Sequence, residues 1–265
     1  MRLVQLLILF VSVLCCSCTS PTLPNHAPRI LFVGNSLTYV GNTPAVFSAL
    51  SAMGDHPVVT EMIVEGGATL SQRLKDGSVA RALSAQHYST VILQERGGDL
   101  LCSFGPSSCE ESEKAIAALA ALAKSNGAKV VLLGTYQSMP RMSTALVEAE
   151  SAAADNAGIP YVEISNKLQA LQVKLPDTQW FDSDGMHPSS NLALLNAISL
   201  FEMLYNSMPP EEKLTVRAPI YGTNSGLTSA PTLADAPPPR SGTRLEISYG
   251  AEEIERIVSA LKSGS

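Results

Sequence analysis

Five short runs of nearly continuous apolar residues, each followed by a longer stretch of helical pattern, constrain this chain more than any other feature. Residues 30–33, 58–64, 88–93, 129–133 and 159–164 have the length and composition of strands. They do not alternate polar with apolar, so both faces of each strand must be covered. Helical spacing follows over residues 44–53, 70–85, 110–125, 142–156 and 192–204. Thr69 and Gln72 have capping-box spacing before the second of these, and Gly127 and Gly158 stand where helices end. Strand alternating with helix predicts an α/β three-layer sandwich on a five-stranded parallel sheet. With 45% hydrophobic and 16% charged residues in 265, there is material for one sizeable core, assigned here to residues 29–206. A net charge of −6 supplies no positive field for phosphates, which argues against nucleic acid as a partner.

The two ends of the chain have a different texture. Arg2 precedes a mostly apolar stretch over residues 3–14 and then the small residues Cys15, Cys16, Ser17 and Cys18, so residues 1–18 read as an export signal. A membrane span is the competing reading, but 12 positions fall short of the roughly 20 that a bilayer needs. Cys16 or Cys18 is a candidate for lipidation, which would tether the protein to a membrane; free secretion is the alternative. Residues 19–28 form a proline-bearing tether. Beyond Asn206, residues 207–265 carry scattered prolines that predict an irregular wrapping segment, then a helix whose Ile254, Ile257, Val258 and Leu261 share one face. Outside the signal the cysteines are Cys102 and Cys109. In an oxidising compartment they are expected to close a small disulfide loop, and without a nearby histidine they make a poor metal site.

In parallel sheets, ligands bind beyond the carboxyl ends of the strands, and the first such loop is Gly34-Asn35-Ser36-Leu37-Thr38. It sets a serine at the end of a buried strand, with backbone N–H groups available to a developing negative charge. An ordinary strand-to-loop turn is the alternative for this motif alone. A nucleophilic serine needs a base. Of four histidines, His26 lies in the tether, while His56 and His87 precede strands at the opposite end of the sheet. His187 remains, in the loop after the last strand, with Asp184 three residues earlier across a glycine. A tight turn there can set a carboxylate on one imidazole nitrogen while the other faces Ser36.

Residues 29–205 thereby resemble the SGNH (GDSL-like) hydrolases, esterases and lipases with a flavodoxin-like sheet. Gly34-Asn35-Ser36-Leu37-Thr38 is similar to their first block, with Asn35 in the usual aspartate position, and Asp184-Gly185-Met186-His187 to their last. Glu65-Gly66-Gly67-Ala68-Thr69 is similar to the second block, which implies that the Gly67 N–H helps hold the oxyanion. The third block departs from the pattern: Leu93-Gln94-Glu95-Arg96-Gly97 has no asparagine and resembles a divergent Gln-Glu branch. Gln94 is the expected side-chain donor there, with Arg96 competing.

The resemblance implies a serine esterase that needs no metal or cofactor, with Ser36 as nucleophile, His187 as base, Asp184 as its orienting carboxylate, and Ser36, Gly67 and Gln94 around the oxyanion. A short acyl ester, such as acetyl on a carbohydrate, is the expected substrate. Tyr39 and Trp180, with Phe104 and Phe181, are candidates for the pocket lining. An α/β-hydrolase is disfavoured because the chain has no Gly-x-Ser-x-Gly elbow. A noncatalytic surface lipoprotein binding glycans or protein partners on the same scaffold is the alternative from another class.

Overall fold

In a computed structural model describing residues 27–137 and 140–263, the five apolar runs form parallel strands. These are β1 (Arg29–Gly34), β2 (Val59–Val64), β3 (Thr90–Leu93), β4 (Lys129–Leu133) and β5 (Tyr161–Val162). Their spatial order is β2, β1, β3, β4, β5, the flavodoxin-like arrangement. Parallel neighbours need crossovers, and helices supply them. β1 leads into α1 (Ser36–Tyr39) and α2 (Thr43–Met53); β2 leads into α3 (Leu70–Lys75) and α4 (Ser78–Ala85). α5 (Pro106–Ser125) follows β3 and α6 (Pro140–Ala157) follows β4. α7 (Ser165–Lys174) and α8 (Ser190–Tyr205) follow β5, and α9 (Ala251–Lys262) comes last.

The period-two pleat sends alternate strand residues to opposite faces. Ile30, Phe32, Met62 and Ile92 join side chains of α2, α7, α8 and α9 in one buried cluster. Leu31, Val33, Ile63 and Val91 join α3, α4, α5 and α6 in the other. These are the three layers expected from the apolar runs.

Four local expectations need correction. The sheet has a sixth strand among the described residues, β7 (Thr232–Leu233), which pairs antiparallel with β2. Two residues inside a proline-rich segment carry no periodic signal, yet they cover an edge that β2 would otherwise expose. The helix expected over 70–85 is two helices, because Asp76 ends α3 and Gly77 turns left-handed at φ 68°. The fifth strand is cut to two residues: Pro160 has no N–H to donate, and Ile164 already caps α7. Neither α1 nor α7 was expected. The capping box of Thr69 and Gln72 is present, and Cys102 and Cys109 are joined in a disulfide.

The segment after Asn206 lies against the start of the fold. β6 (Leu214–Val216) and β8 (Ile247–Tyr249) pair with each other antiparallel. Asn42, in a left-handed conformation at the start of α2, donates from Nδ2 to the carbonyls of Pro219 (2.8 Å) and Ala234 (2.9 Å). Tyr39 donates its hydroxyl to Thr223 O at 3.0 Å. Residues 1–26, which include the signal, most of the tether and the candidate lipidation sites Cys16 and Cys18, lie outside the described residues. No helix among those described is long and apolar enough to cross a membrane.

The exit from β1 is tightly packed. A methyl group at Gly34 would collide with Thr38 Oγ1 and lie 3.2 Å from the carbonyl oxygen of Gln94. Thr38 cannot easily give way, because its hydroxyl donates to Gln94 Oε1 at 2.7 Å in a buried setting. Overpacking of this kind costs about 1–3 kcal/mol. Gly34→Ala is therefore expected to lower the midpoint of urea unfolding by an equivalent amount, with the slope of the transition unchanged.

Candidate active site

β1 ends at Gly34, and the chain turns at once into α1, with Asn35 as N-cap. Its side-chain oxygen accepts from Leu37 N at 3.0 Å. This places Ser36 on the first turn of a helix at the carboxyl end of the sheet's innermost region. Short helices contribute little dipole, but the first-turn N–H groups are not used within the helix. The Ser36 N–H has no acceptor among the described residues.

The second part is the loop between α7 and α8. Phe181 and Pro188 form a bridge, Asp182 N donates to His187 O at 2.8 Å, and Gly185 N donates to Asp182 O at 2.9 Å. The Asp184 carboxylate caps the turn: Oδ1 accepts from the N–H groups of Met186 and His187, both at 2.9 Å. Its Oδ2 lies 2.6 Å from His187 Nδ1. These backbone bonds, with the imidazole contact, hold the Asp184 carboxyl down at about 2. From outside the loop, Tyr136 donates its hydroxyl to Met186 O at 3.0 Å.

The two parts meet. His187 Nε2 is 3.0 Å from Ser36 Oγ, so three side chains form one hydrogen-bonded line across 151 residues of sequence. The line opens onto a cleft of about 830 Å³ whose walls include Tyr39, Gly66, Gly67, Arg96, Phe104, Tyr136, Phe181 and Met186. Gly67 sits at the third position of a turn closed by Ala68 N to Glu65 O at 3.2 Å. Its φ of 72° is the left-handed value that this position of a type II turn requires. The Gly67 N–H also has no acceptor among the described residues.

Two of the sequence-predicted residues are placed elsewhere. Gln94 is only 1% exposed and lies off the cleft. Its Oε1 accepts from Thr38 and its Nε2 donates to Gly134 O at 3.2 Å, so the amide is committed to tying β3 to α1 and β4. Alternation explains this, since Gln94 points to the same face as Ile92, beneath α1. Trp180 is also buried, among core side chains rather than on the cleft wall. Tyr39, Phe104 and Phe181 do line the cleft, whereas His56 stacks on Tyr205 at the amino end of the sheet, with ring centroids 4.1 Å apart. Gly97, the last residue of the third block, lines the cleft beside Gly98 and Tyr136, which carried no sequence signal of their own.

Beside the cleft, Glu95 is a buried acid that caps a helix. Its carboxylate accepts from Leu70 N, the first residue of α3, from Arg96 N and from Ser112 Oγ. Burial outweighs these bonds and raises the Glu95 carboxyl to about 7. Its unfolded value is near 4.3, so between about pH 4.3 and 7 the folded state binds the proton more tightly. Stability contributed by this site is complete below that window and is lost as pH rises through it. Glu95→Gln keeps one acceptor oxygen without the titration, and is expected to lessen the fall in melting temperature that the unmodified chain should show between pH 5 and 7.

No protein-family model matches the chain, and no functionally curated protein matches it by sequence. Solved structures do match. A candidate SGNH hydrolase from Slackia heliotrinireducens aligns with TM-score 0.53 and 24% identity over 67% of this chain and 98% of its own. A DUF4886 family protein from Bacteroides uniformis aligns with TM-score 0.56 and 15% identity over 68% and 83%. Axe2, an acetyl xylan esterase from Geobacillus stearothermophilus, aligns with TM-score 0.54 and 16% identity over 66% and 94%. The shared architecture, with the layered sheet and strand order described above, gives this chain the fold of the SGNH hydrolases.

Proposed function

We propose that this chain is an exported serine esterase of SGNH type that hydrolyses short acyl esters, acetyl groups on carbohydrates first among them. The observation that carries the proposal is the line from Asp184 through His187 to Ser36, at 2.6 and 3.0 Å, facing a cleft with two unused backbone N–H groups. In this reading Ser36 Oγ attacks the ester carbonyl while His187 Nε2 takes its proton and Asp184 holds the ring in the required tautomer. The N–H groups of Ser36 and Gly67 receive the oxyanion. Collapse of the tetrahedral intermediate expels the alcohol, which takes the proton from His187. Water then attacks the acyl-serine by the same route, giving the carboxylic acid and free Ser36.

Two further observations support the finer points. Axe2, similar in fold, is an acetyl xylan esterase, and the cleft offers aromatic walls in Phe104, Tyr136 and Phe181 that suit a sugar ring carrying a small acyl group. Export rests on residues 1–18, and the Cys102–Cys109 disulfide suits an oxidising compartment. Lipidation at Cys16 or Cys18 would keep the enzyme at a membrane surface.

The test combines a fluorophosphonate probe with a panel of p-nitrophenyl esters and acetylated xylo-oligosaccharides. The unmodified chain is expected to label and to favour acetyl over longer acyl groups. Ser36→Ala should abolish labelling, and it and His187→Ala should each lower kcat/KM by on the order of 10⁴-fold or more. A chain that neither labels nor hydrolyses any ester, yet binds xylo-oligosaccharides, would replace this proposal with a noncatalytic glycan-binding role.

A further inference from the structure

An oxyanion donor is effective only if it is aimed before charge develops, and Gly67 has little of its own to aim it. It has no side chain, and a methyl group built there would meet nothing within 4 Å. Two hydrogen bonds hold its surroundings. Ala68 N donates to Glu65 O at 3.2 Å, and Arg96 Nη1 donates to Gly67 O at 3.3 Å. They grip opposite edges of one peptide plane, that between Gly67 and Ala68. Fixing this plane limits the rotation by which the preceding Gly67 N–H could swing out of the cleft.

Arg96 is itself immobilised. Its Nε and Nη2 bond in parallel to Asp99 Oδ2 at 2.8 Å and Oδ1 at 2.7 Å. Asp99 is only 2% exposed. The Phe104 ring covers the guanidinium, with Cζ 4.3 Å from its centroid, and the loop bearing Phe104 is closed by the Cys102–Cys109 disulfide. Because Asp99 neutralises the charge at contact distance, Arg96 offers no free cation to an anionic substrate. The planar fork of arginine can serve Asp99 along one edge and a carbonyl from the remaining nitrogen at the same time, and lysine cannot.

We infer that Arg96, clamped by Asp99 and Phe104, is a positioning residue that holds the Gly67 peptide so that its N–H is aimed at the oxyanion. The inference rests on the esterase reading above. It assigns to backbone orientation what the committed amide of Gln94 does not supply from a side chain.

The experiment compares Arg96→Ala, Arg96→Lys and Asp99→Asn with the unmodified chain on p-nitrophenyl acetate, with folding followed by circular dichroism. Displacing a donor by a fraction of an ångström to 1 Å is expected to lower kcat by about 10- to 100-fold in both Arg96 variants, with KM within about twofold. Asp99→Asn should lower kcat in the same direction by about 3- to 10-fold, although its guanidinium still faces the cleft. Added ethylguanidinium should restore part of the activity of Arg96→Ala, and the pH midpoint of kcat should not move. An active unmodified chain whose Arg96→Ala variant keeps kcat within twofold overturns the inference alone. So does a loss confined to KM, which would make Arg96 a substrate contact, or full activity in Asp99→Asn beside an inactive Arg96→Ala, which would make Arg96 a direct donor. Should Arg96→Ala not fold, Arg96→Lys and Asp99→Asn decide by the same criteria. An unmodified chain that neither hydrolyses nor labels removes the esterase reading, and this inference with it.

Discussion

The position of β1 inside the sheet governs the rest of the molecule. Hydrogen-bonded to β2 on one side and β3 on the other, and covered by helices on both faces, it cannot shift register without turning Ile30 and Phe32 out of one core and Leu31 and Val33 out of the other. Ser36 lies two residues beyond its end, so the serine inherits the rigidity of the best-held strand. Gly34 and Thr38 then bring the exit turn close against the end of β3, where Gln94 is fixed by its own two bonds. If Ser36 is the nucleophile proposed above, a side chain held this way needs no further ordering when substrate arrives.

The rest of the site follows from where the other strands end. The loops after β2, β3 and α7 bring Gly67, Arg96 and His187 to the same edge as Ser36. The Asp184–His187 turn is a small unit, since an acid three residues before the histidine accepts from its backbone and contacts its ring. Two buried acids next to this edge behave differently from the exposed Asp184. Glu95 caps α3 and Glu150 bonds Thr135 and Tyr161, and burial raises both carboxyls to about 7. Such acids tie loops to helices near the cleft, at a cost in stability once they ionise.

Much of the fold was legible from the apolar runs, because a strand buried on both faces must be hydrophobic at nearly every position. β4 begins and ends where the pattern placed it, and α9 buries the four residues expected on one face, Ile254, Ile257, Val258 and Leu261. Three of the misses share a cause. β7 is two residues long, α1 is a single turn, and the break between α3 and α4 is made by two residues, Asp76 and Gly77. None of these carries a full period of side chains from which an element could be inferred. Trp180 was misplaced for a related reason, since an aromatic residue near a loop reads alike whether it lines a cleft or fills a core.

The sequence by itself determined the layered α/β architecture and singled out Ser36, His187 and Asp184 as candidates, because periodicity, a serine at a strand end and a local acid-to-histidine spacing are written in consecutive residues. Only the tertiary structure decided that Ser36 and His187 stand 3.0 Å apart, that Gln94 is spent on Thr38 and Gly134, and that Arg96 reaches Gly67 instead of standing in solvent. Those outcomes depend on where separate loops converge at one edge of the sheet, and on which buried polar atoms find one another there. No short stretch of chain encodes either.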